Sequence, residues 1–420
     1  MSAHLLRGVT VYDRGGPSDG EAVDLVLLPD GRARFGSAHA PADSAEHEAS
    51  GWGVSLGWAD VGSAVGEPGD EQRETLASLA EAGRRGGYTH LAVQPSLPAA
   101  ADSRADVEAL LARAAGLQVD ISVVAAITEQ RAGEALAELG DLTAAGVRHL
   151  SDGERGFADV KLLELALTYA RPLGCTVHAQ PLTPRLAGEA GVGESVVSTR
   201  LGLPGVPAIA EAIALERDLR VAEYAGGRLH VVAVTLADSL RRLRDWRPAA
   251  SEVSFGVSVP HLALSDKDLL GFDVGAKVWP PLRRPHDREA LVASLRAGEP
   301  AVLTALHRPV TPEERQVEFA YAEPGLATLE VAFGLACSGV GEVGTVVEYL
   351  GRRNRAFLGL PVPNIADGVA CDLTVFAPEE AWTAPTAPRA SLGGNPAVPG
   401  RRLRGRPVAT FRGGELAFND

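Results

Sequence analysis

Three side chains of this chain could carry acid–base or metal-binding chemistry. Asp152, His178 and His307 each lie at or just after a short apolar run. An imidazole can bind a metal or transfer a proton, and a carboxylate can bind a metal or act as a base. The alternative interpretation is that all three are hydrogen-bonded structural residues, which is the usual state of a buried polar side chain.

The elements that must position these side chains are strands and helices in alternation. Apolar runs over 88–93, 121–126 and 229–234 are typical of strands, and 159–170 has a helical pattern. This alternation predicts an α/β protein and most economically a (β/α)8 barrel, here assigned to residues 56–364. The three polar side chains would then lie at the carboxyl ends of the strands. An open doubly wound sheet is the alternative that the pattern leaves.

Both ends of the chain have a different texture of short strands and turns. The run 22–28 is strand-like near the start, and 372–376 and 407–411 are strand-like near the end. We therefore expect residues 1–55 and 365–420 to meet in one small β-sandwich domain.

The segment 58–69 resembles the first-strand signature of the dihydroorotases, which belong to the amidohydrolase superfamily. In that family an aspartate precedes His-x-His-x-Arg and then Glu-Pro-Gly. Asp60 matches the aspartate, and the Glu-Pro-Gly is also present. The positions of the two metal-binding histidines and the substrate-binding arginine hold Gly62, Ala64 and Gly66.

Other motifs of the same family can be followed over most of the chain. His178 and His307 match family histidines, and Asp152 matches an acidic position of the family's Ser-Asp-Asp-Gly segment. Four further family positions are changed. A substrate-contacting Asn, a metal-binding His, a substrate-facing Asn and a metal-binding Asp are replaced, in that order, by Ser96, Ala233, Trp279 and Leu306.

The resemblance thus implies a hydrolytic site whose metal set is incomplete. A catalytic zinc takes about three protein ligands and keeps one position open. Of the family's set, His178 and Asp152 remain as weak candidates. Loss of a general base alone lowers a rate by about 10²–10⁴-fold. We therefore expect no catalytic residues, no bound metal or other cofactor, and a protein that is not an enzyme.

Composition limits the classes of partner. The chain has 420 residues, of which 45% are hydrophobic, and a formal net charge of −14. This acidic balance argues against nucleic acid and anionic membranes as partners. The three cysteines are far apart and suggest neither a zinc site nor a disulfide framework. Without a long apolar run or a signal peptide, a cytoplasmic location is the simplest expectation.

Two functional hypotheses follow, and they belong to different classes. The first is a non-catalytic dihydroorotase-like subunit of pyrimidine biosynthesis. Resemblance to the pseudo-dihydroorotases implies assembly with aspartate carbamoyltransferase, and we expect self-association at least as a dimer. The alternative is an amidohydrolase that acts on a cyclic amide through an altered metal site. A weaker third hypothesis is a sensor whose emptied pocket binds a pyrimidine precursor.

Overall fold

The computed structural model describes residues 2–95, 100–188, 190–246 and 251–419. Its strands, in chain order, are β1 (His4–Val11), β2 (Ala22–Leu27), β3 (Ala33–Phe35), β4 (Ala45–Glu48), β5 (Gly53–Leu56), β6 (Trp58–Ala64), β7 (Tyr88–Gln94), β8 (Asp120–Ala125), β9 (His149–Ser151), β10 (Thr176–Ala179), β11 (Val192–Gly193), β12 (Gly205–Val206), β13 (Gly227–Val231), β14 (Ser251–Ser258), β15 (Val302–Thr304), β16 (Leu373–Thr383), β17 (Arg402–Arg412) and β18 (Glu415–Phe418).

Most of the helices lie between the strands of the central region. In chain order they are α1 (Leu76–Arg85), α2 (Arg104–Ala114), α3 (Leu139–Ala144), α4 (Val160–Leu173), α5 (Pro184–Ala187), α6 (Val196–Leu201), α7 (Ala208–Ala225), α8 (Ala237–Asp245), α9 (Val259–Ala263), α10 (Pro285–Arg296), α11 (Pro312–Arg315), α12 (Ala332–Val340), α13 (Val343–Glu348) and α14 (Asn354–Phe357). Within the described ranges, no helix is long and apolar enough to cross a bilayer.

Eight parallel strands form a nearly closed barrel, in the order β15-β14-β13-β10-β9-β8-β7-β6. Side chains join the two outer strands, β6 and β15. The Asp60 carboxylate accepts from the backbone amide of Ala305 at 2.7 Å. The Asn354 amide nitrogen donates to the carbonyls of Ala59 at 2.7 Å and Leu303 at 2.8 Å. The predicted (β/α)8 fold is confirmed, and the open doubly wound sheet is not observed.

Strands from both chain ends form the second sheet, in the order β18-β17-β16-β5-β1-β2-β3, with β4 beside β1. This sheet has its own apolar core, which includes Leu25, Val54 and Phe411. The two ends of the chain therefore meet in one β domain, as the sequence indicated. The exact boundaries at residues 55 and 364 stay a prediction.

An aromatic cluster connects the small domain to the barrel. The Trp58 ring of β6 lies 4.5 Å from the Phe333 ring of α12 and 5.6 Å from the Phe376 ring of β16, measured between centroids. All three side chains are fully buried. Aromatic pairs at this separation stabilise packing beyond the area that they bury. The cluster fixes the start of β6 and thereby the strand that carries the changed metal positions.

Candidate functional site

A cavity opens at the carboxyl-terminal ends of the barrel strands, where barrel enzymes place their active sites. It contains about 790 Å³ of empty space, including its open mouth. Its walls are mainly apolar, with a few polar groups from different strands. The lining residues include Val61, Gly62, Ala64, Gln94, Glu154, His178, Gln180, His230, Val232, Val278, Trp279, Val302, Thr304, Leu306, His307, Arg308 and Leu326.

At Gly62, the first position where the family has a metal-binding histidine, a side chain of another barrel strand occupies the space. Gly62 lies on β6 and lines the cavity. A Cβ atom at Gly62 would lie 2.5 Å from the Thr304 hydroxyl of β15, which is closer than atoms can approach without a shift. Even an alanine at position 62 would therefore displace Thr304. Position 62 lacks the space for a histidine side chain as well as the imidazole itself.

At Gly66, where the family has its substrate-binding arginine, a tight backbone loop occupies the space of a side chain. Gly66 lies in a tight loop, where its amide donates to the Glu74 carbonyl at 2.9 Å and its carbonyl accepts from Asp70 at 2.7 Å. A Cβ atom at Gly66 would lie 2.0 Å from the Asp70 carbonyl oxygen. Backbone cannot move aside as a flexible side chain can. This loop conformation excludes an arginine at position 66.

Asp60 is present in the sequence motif but serves barrel closure. The side chain is completely buried, and both carboxylate oxygens are engaged. One oxygen accepts from the Ala305 amide and from the Thr304 hydroxyl at 3.1 Å. The other accepts from the Ser63 hydroxyl at 2.7 Å and the Gly62 amide at 3.1 Å. These four hydrogen bonds leave the carboxylate little capacity for any other ligand.

Asp152 stabilises a neighbouring loop through hydrogen bonds and does not line the cavity. Its carboxylate accepts from the backbone amides of Ile127 at 2.9 Å and Thr128 at 3.1 Å. The Thr128 hydroxyl donates to its second oxygen at 2.7 Å. The predicted metal-bridging carboxylate therefore holds the chain that leaves β8.

His307 is buried and hydrogen-bonded through both ring nitrogens. Nδ1 accepts from the backbone amides of Thr328 at 3.1 Å and Leu329 at 3.4 Å. Nε2 therefore carries the proton and donates to the Glu74 carboxylate at 3.3 Å. Glu74, a fully buried acid two residues before the start of α1, also accepts from the Ser391 hydroxyl. Sequence reasoning missed Glu74, because no motif marks it.

His178 belongs to a histidine cluster inside the barrel. Its Nε2 lies 3.0 Å from Nδ1 of His149, and its ring centroid lies 4.9 Å from that of His230. The His178 Nδ1 atom is buried and has no hydrogen-bond partner among the residues that the structure describes. Burial lowers the pKa of His178 well below its ordinary value, and the two neighbouring imidazoles lower it further. His178 is therefore neutral at physiological pH.

The other histidines of the cluster are held by their own contacts. His230 hydrogen-bonds the Ser254 hydroxyl at 3.0 Å. Burial lowers the pKa of His230 to about 3 and that of His149 to about 4. The Phe357 ring packs against both, at centroid distances of 4.5 Å and 5.0 Å. His149 carried no motif signal in the sequence.

The residues present do not fit the metal set that the family resemblance implies. Ala233 and Leu306 place carbon where an imidazole and a carboxylate would be needed. Asp152 and His307 are engaged elsewhere, as described above. In the described part of the chain, no group of three His, Cys, Asp or Glu side chains is arranged to hold a metal ion. Ser96, a further changed position, lies outside the described residues.

Comparisons with known proteins identify relatives along almost the whole chain. The profile of the dihydro-orotase-like family matches residues 55–239. A protein of Pelotomaculum thermopropionicum named dihydroorotase is 34% identical over 99% of this chain and 98% of its own length. A protein of Anaeromyxobacter dehalogenans strain 2CP-C with the same name is 35% identical over 99% of this chain and 98% of its own length.

Solved structures with low sequence identity share the fold. The dihydropyrimidinase of Brevibacillus agri NCHU1002 superimposes with a TM-score of 0.81 at 19% identity, covering 99% of this chain and 94% of that one. The L-hydantoinase of Arthrobacter aurescens gives a TM-score of 0.82 at 17% identity, covering 99% of this chain and 96% of that one. These matches show the barrel with its accessory β domain.

The relatives also correct one expectation. The chain was expected not to be an enzyme, but relatives 30–35% identical over nearly their full length are named dihydroorotase and indicate an enzyme. Missing metal ligands do not by themselves establish missing activity. The cavity keeps three imidazoles and two side-chain amides in an apolar environment. The chain belongs to the dihydroorotase-like family of the amidohydrolase superfamily.

Proposed function

We propose that the protein acts on a cyclic amide, as a dihydroorotase-type hydrolase, in the cavity at the mouth of the barrel. One observation carries this proposal. Two buried side chains of the cavity have polar groups without protein partners. Gln180 is 3% exposed, and its side-chain amide makes no hydrogen bond to any described residue. His178 is 2% exposed, and its Nδ1 atom has no partner.

A ring that contains an amide bond would satisfy both groups. A primary amide such as that of Gln180 offers a donor and an acceptor side by side, and a ring amide offers the complementary pair. The neutral imidazole of His178 can accept or donate one further hydrogen bond. Val232, Trp279 and Leu306 provide apolar surface for the faces of the ring. Small-molecule sites typically combine a mainly apolar cavity with a few convergent polar groups.

The side chains of the cavity bind and orient the ring. The family's metal ions activate water where their ligands are present, and the side chains of this cavity do not provide that ligand set. Gln180 orients the ring amide, and the apolar walls exclude bulk water from it. A water-poor environment strengthens the hydrogen bonds that the ring makes.

The test is a ring-opening and ring-closing assay on purified protein. Dihydroorotate, dihydrouracil and hydantoin serve as cyclic substrates, with and without added zinc and after treatment with a chelator. We expect turnover of at least one ring above the buffer control. Gln180→Leu should lower kcat/KM by about tenfold or more, because a buried hydrogen bond to the ring is lost. Gln118→Leu, at an exposed glutamine before β8, is the matched control.

Absence of turnover for all three rings under every metal condition would contradict the proposal. Equal kcat/KM values for Gln180→Leu and the wild-type protein would contradict the assigned role of Gln180.

We also propose that the protein assembles with aspartate carbamoyltransferase, and that it self-associates. The supporting observation is a pair of exposed apolar side chains on α7. Ile209 and Ile213 have exposures of 54% and 45% and lie one turn apart on the same side of the helix. Large exposed apolar side chains in one patch are typical of protein interfaces.

Light-scattering chromatography of the two mixed proteins tests the assembly. We expect a co-eluting peak much larger than either protein alone, with carbamoyltransferase activity in the same fractions. Ile213→Arg should weaken this peak, whereas Leu111→Arg at the exposed edge of α2 should not. Separate peaks at micromolar concentrations would exclude the assembly, and a monomer of this chain alone would exclude self-association.

A further inference from the structure

Two imidazoles face each other on the small β domain, outside the barrel. His4 lies on β1 and His47 on β4, and the two strands pair in parallel with His47 opposite Leu6. Because alternate residues of a strand share a face, His4, Leu6 and His47 lie on the same face of the sheet. The His4 Nδ1 atom is 3.1 Å from the His47 Nε2 atom, and the two ring planes differ by 24°. Both rings are half-buried, so part of each is open to solvent.

Neighbouring aromatic rings and backbone pairing hold this pair of imidazoles in place. The His47 ring lies 4.7 Å from the Phe418 ring, and the Phe418 ring lies 6.4 Å from the Trp52 ring, measured between centroids. Backbone hydrogen bonds of 2.9 Å fix the chain of β4 to that of β1 at both ends of the pair. Side chains held in this way lose little conformational freedom when they bind a ligand.

The separation of the two nitrogens suits a shared metal ion. An imidazole nitrogen binds zinc at about 2.0–2.1 Å, so two such nitrogens in neighbouring tetrahedral or octahedral positions are about 2.9–3.4 Å apart. The observed 3.1 Å lies within this range. It also allows one imidazole to donate a hydrogen bond to the other. A metal ion would take the place of the shared proton, which moves to the second nitrogen of its own ring.

The charges around the pair also suit a metal ion. Burial, with a smaller contribution from His47, lowers the pKa of His4, and burial lowers the pKa of His47. Both imidazoles are therefore mainly neutral at pH 7, which is the form that binds metals. Glu46 and Glu48 alternate to the opposite face of β4, where Glu46 accepts from Arg7 at 2.9 Å. In the described part of the chain, no third acidic, cysteine or histidine side chain completes a metal-binding group.

We propose that His4 and His47 together bind one divalent transition-metal ion, with water in its remaining coordination positions. Imidazole ligands suit Zn²⁺, Ni²⁺ and Cu²⁺, whereas Mg²⁺ and Ca²⁺ prefer oxygen ligands. The ion joins β4, a four-residue strand that pairs with β1 beside the main path of the sheet, to β1. This site is separate from the barrel cavity and does not depend on the function proposed for it.

Calorimetric titration of untagged, full-length protein with NiCl₂ tests the site. We expect one tightly bound equivalent of Ni²⁺. His4→Gln and His47→Gln should each weaken it by about 100-fold or more, because two-point attachment becomes one-point attachment. His39→Gln removes an exposed histidine from the same domain and is the matched control, which should bind as the wild-type protein does. Saturating Ni²⁺ should also raise the melting temperature of the wild-type protein but not that of His47→Gln.

Pulsed electron paramagnetic resonance of the wild-type protein with one equivalent of Cu²⁺ counts the bound imidazoles directly. Two coordinated imidazoles are expected, and a signal from one or none would overturn the shared site. Equal Ni²⁺ affinities of the wild-type protein and both glutamine variants would also overturn it, since the ion would then bind elsewhere. Circular dichroism shows whether each variant retains the fold. The copper spectrum needs no variant and decides the proposal even where one fails to fold.

Discussion

The buried histidines make the stability of this protein depend on pH, and His261 provides the clearest case. Burial, together with a smaller contribution from the nearby Arg283, lowers the pKa of His261 from 6.5 to about 4. Its two ring nitrogens bond the Ser258 hydroxyl at 2.7 Å and the Pro280 carbonyl at 3.0 Å. Between pH 4 and 6.5 the unfolded chain binds the proton and the folded protein does not. Stability is therefore complete above about pH 6.5 and is lost as the pH falls.

The magnitude follows from the two pKa values. Acidification from pH 7 to pH 5 should remove about 2 kcal/mol of unfolding free energy through His261 alone. Burial also lowers the pKa of His90 to about 4. Because His90 lies elsewhere in the barrel, the unfolding free energy lost through it adds to that lost through His261. The losses from His149, His178 and His230 are not additive, because a proton on one raises the cost of charging the next. The whole free energy of unfolding of a typical domain is about 5–15 kcal/mol.

Urea denaturation followed by circular dichroism at pH 7, 6 and 5 measures this loss. His261→Gln keeps a hydrogen-bonding side chain but removes the titrating ring. Between pH 7 and pH 5, its unfolding free energy should fall by about 2 kcal/mol less than that of the wild-type protein. His39→Gln, at an exposed histidine, should fall as the wild-type protein does. A pH-independent unfolding free energy, or equal losses for His261→Gln and the wild-type protein, would refute the reasoning.

Three further predictions concern how the changed site is held. Gly66→Ala should lower the unfolding free energy by about 1–3 kcal/mol in urea, because its Cβ meets a backbone carbonyl, whereas Gly140→Ala in open space within α3 should not. Asp60→Ala should lower it by about 3 kcal/mol or more, since buried donors lose their acceptor, and a normal melting temperature would contradict this. Gly62→Ala should be less destabilising in a Thr304→Ala background, and a double-mutant cycle without coupling would exclude the proposed contact.

The fold could be predicted from the sequence because hydrophobic periodicity and the alternation of strand-like and helical segments depend directly on which residues pack in the core. The strand expected over 88–93 is β7, and the helix expected over 159–170 is α4, which extends to Leu173. That extension ends at Gly174 in the left-handed region, a local stop that the hydrophobic pattern alone does not mark. The pairing of the two chain ends also followed from their shared texture.

Only part of the candidate site could be predicted from the sequence. The sequence identifies which side chains are missing, but not what occupies their space. The hydroxyl that fills the position beside Gly62 comes from a strand more than 200 residues away. The loop that closes over Gly66 is a property of backbone conformation, which residue types did not specify. His149 and Glu74 contact the predicted histidines only after folding, and neither stands in a motif.

Four buried polar residues of the barrel divide into two groups once their contacts are known. Asp60 and His307 have their hydrogen-bonding groups engaged within the protein. The contacts of Asp60 join the first barrel strand to the segment after the last, and the His307 ring joins that segment to Glu74 before α1 and to the backbone at Thr328. These contacts explain the presence of both residues, whatever the cavity binds. Gln180 and His178 are different, because polar side-chain atoms of both lack a partner among the described residues, and Nδ1 of His178 is fully buried. An unsatisfied buried polar group such as this nitrogen costs about 1–3 kcal/mol, and a ligand that supplies the missing partner recovers it. Gln180 and His178 are therefore the residues at which a function of the cavity must be sought.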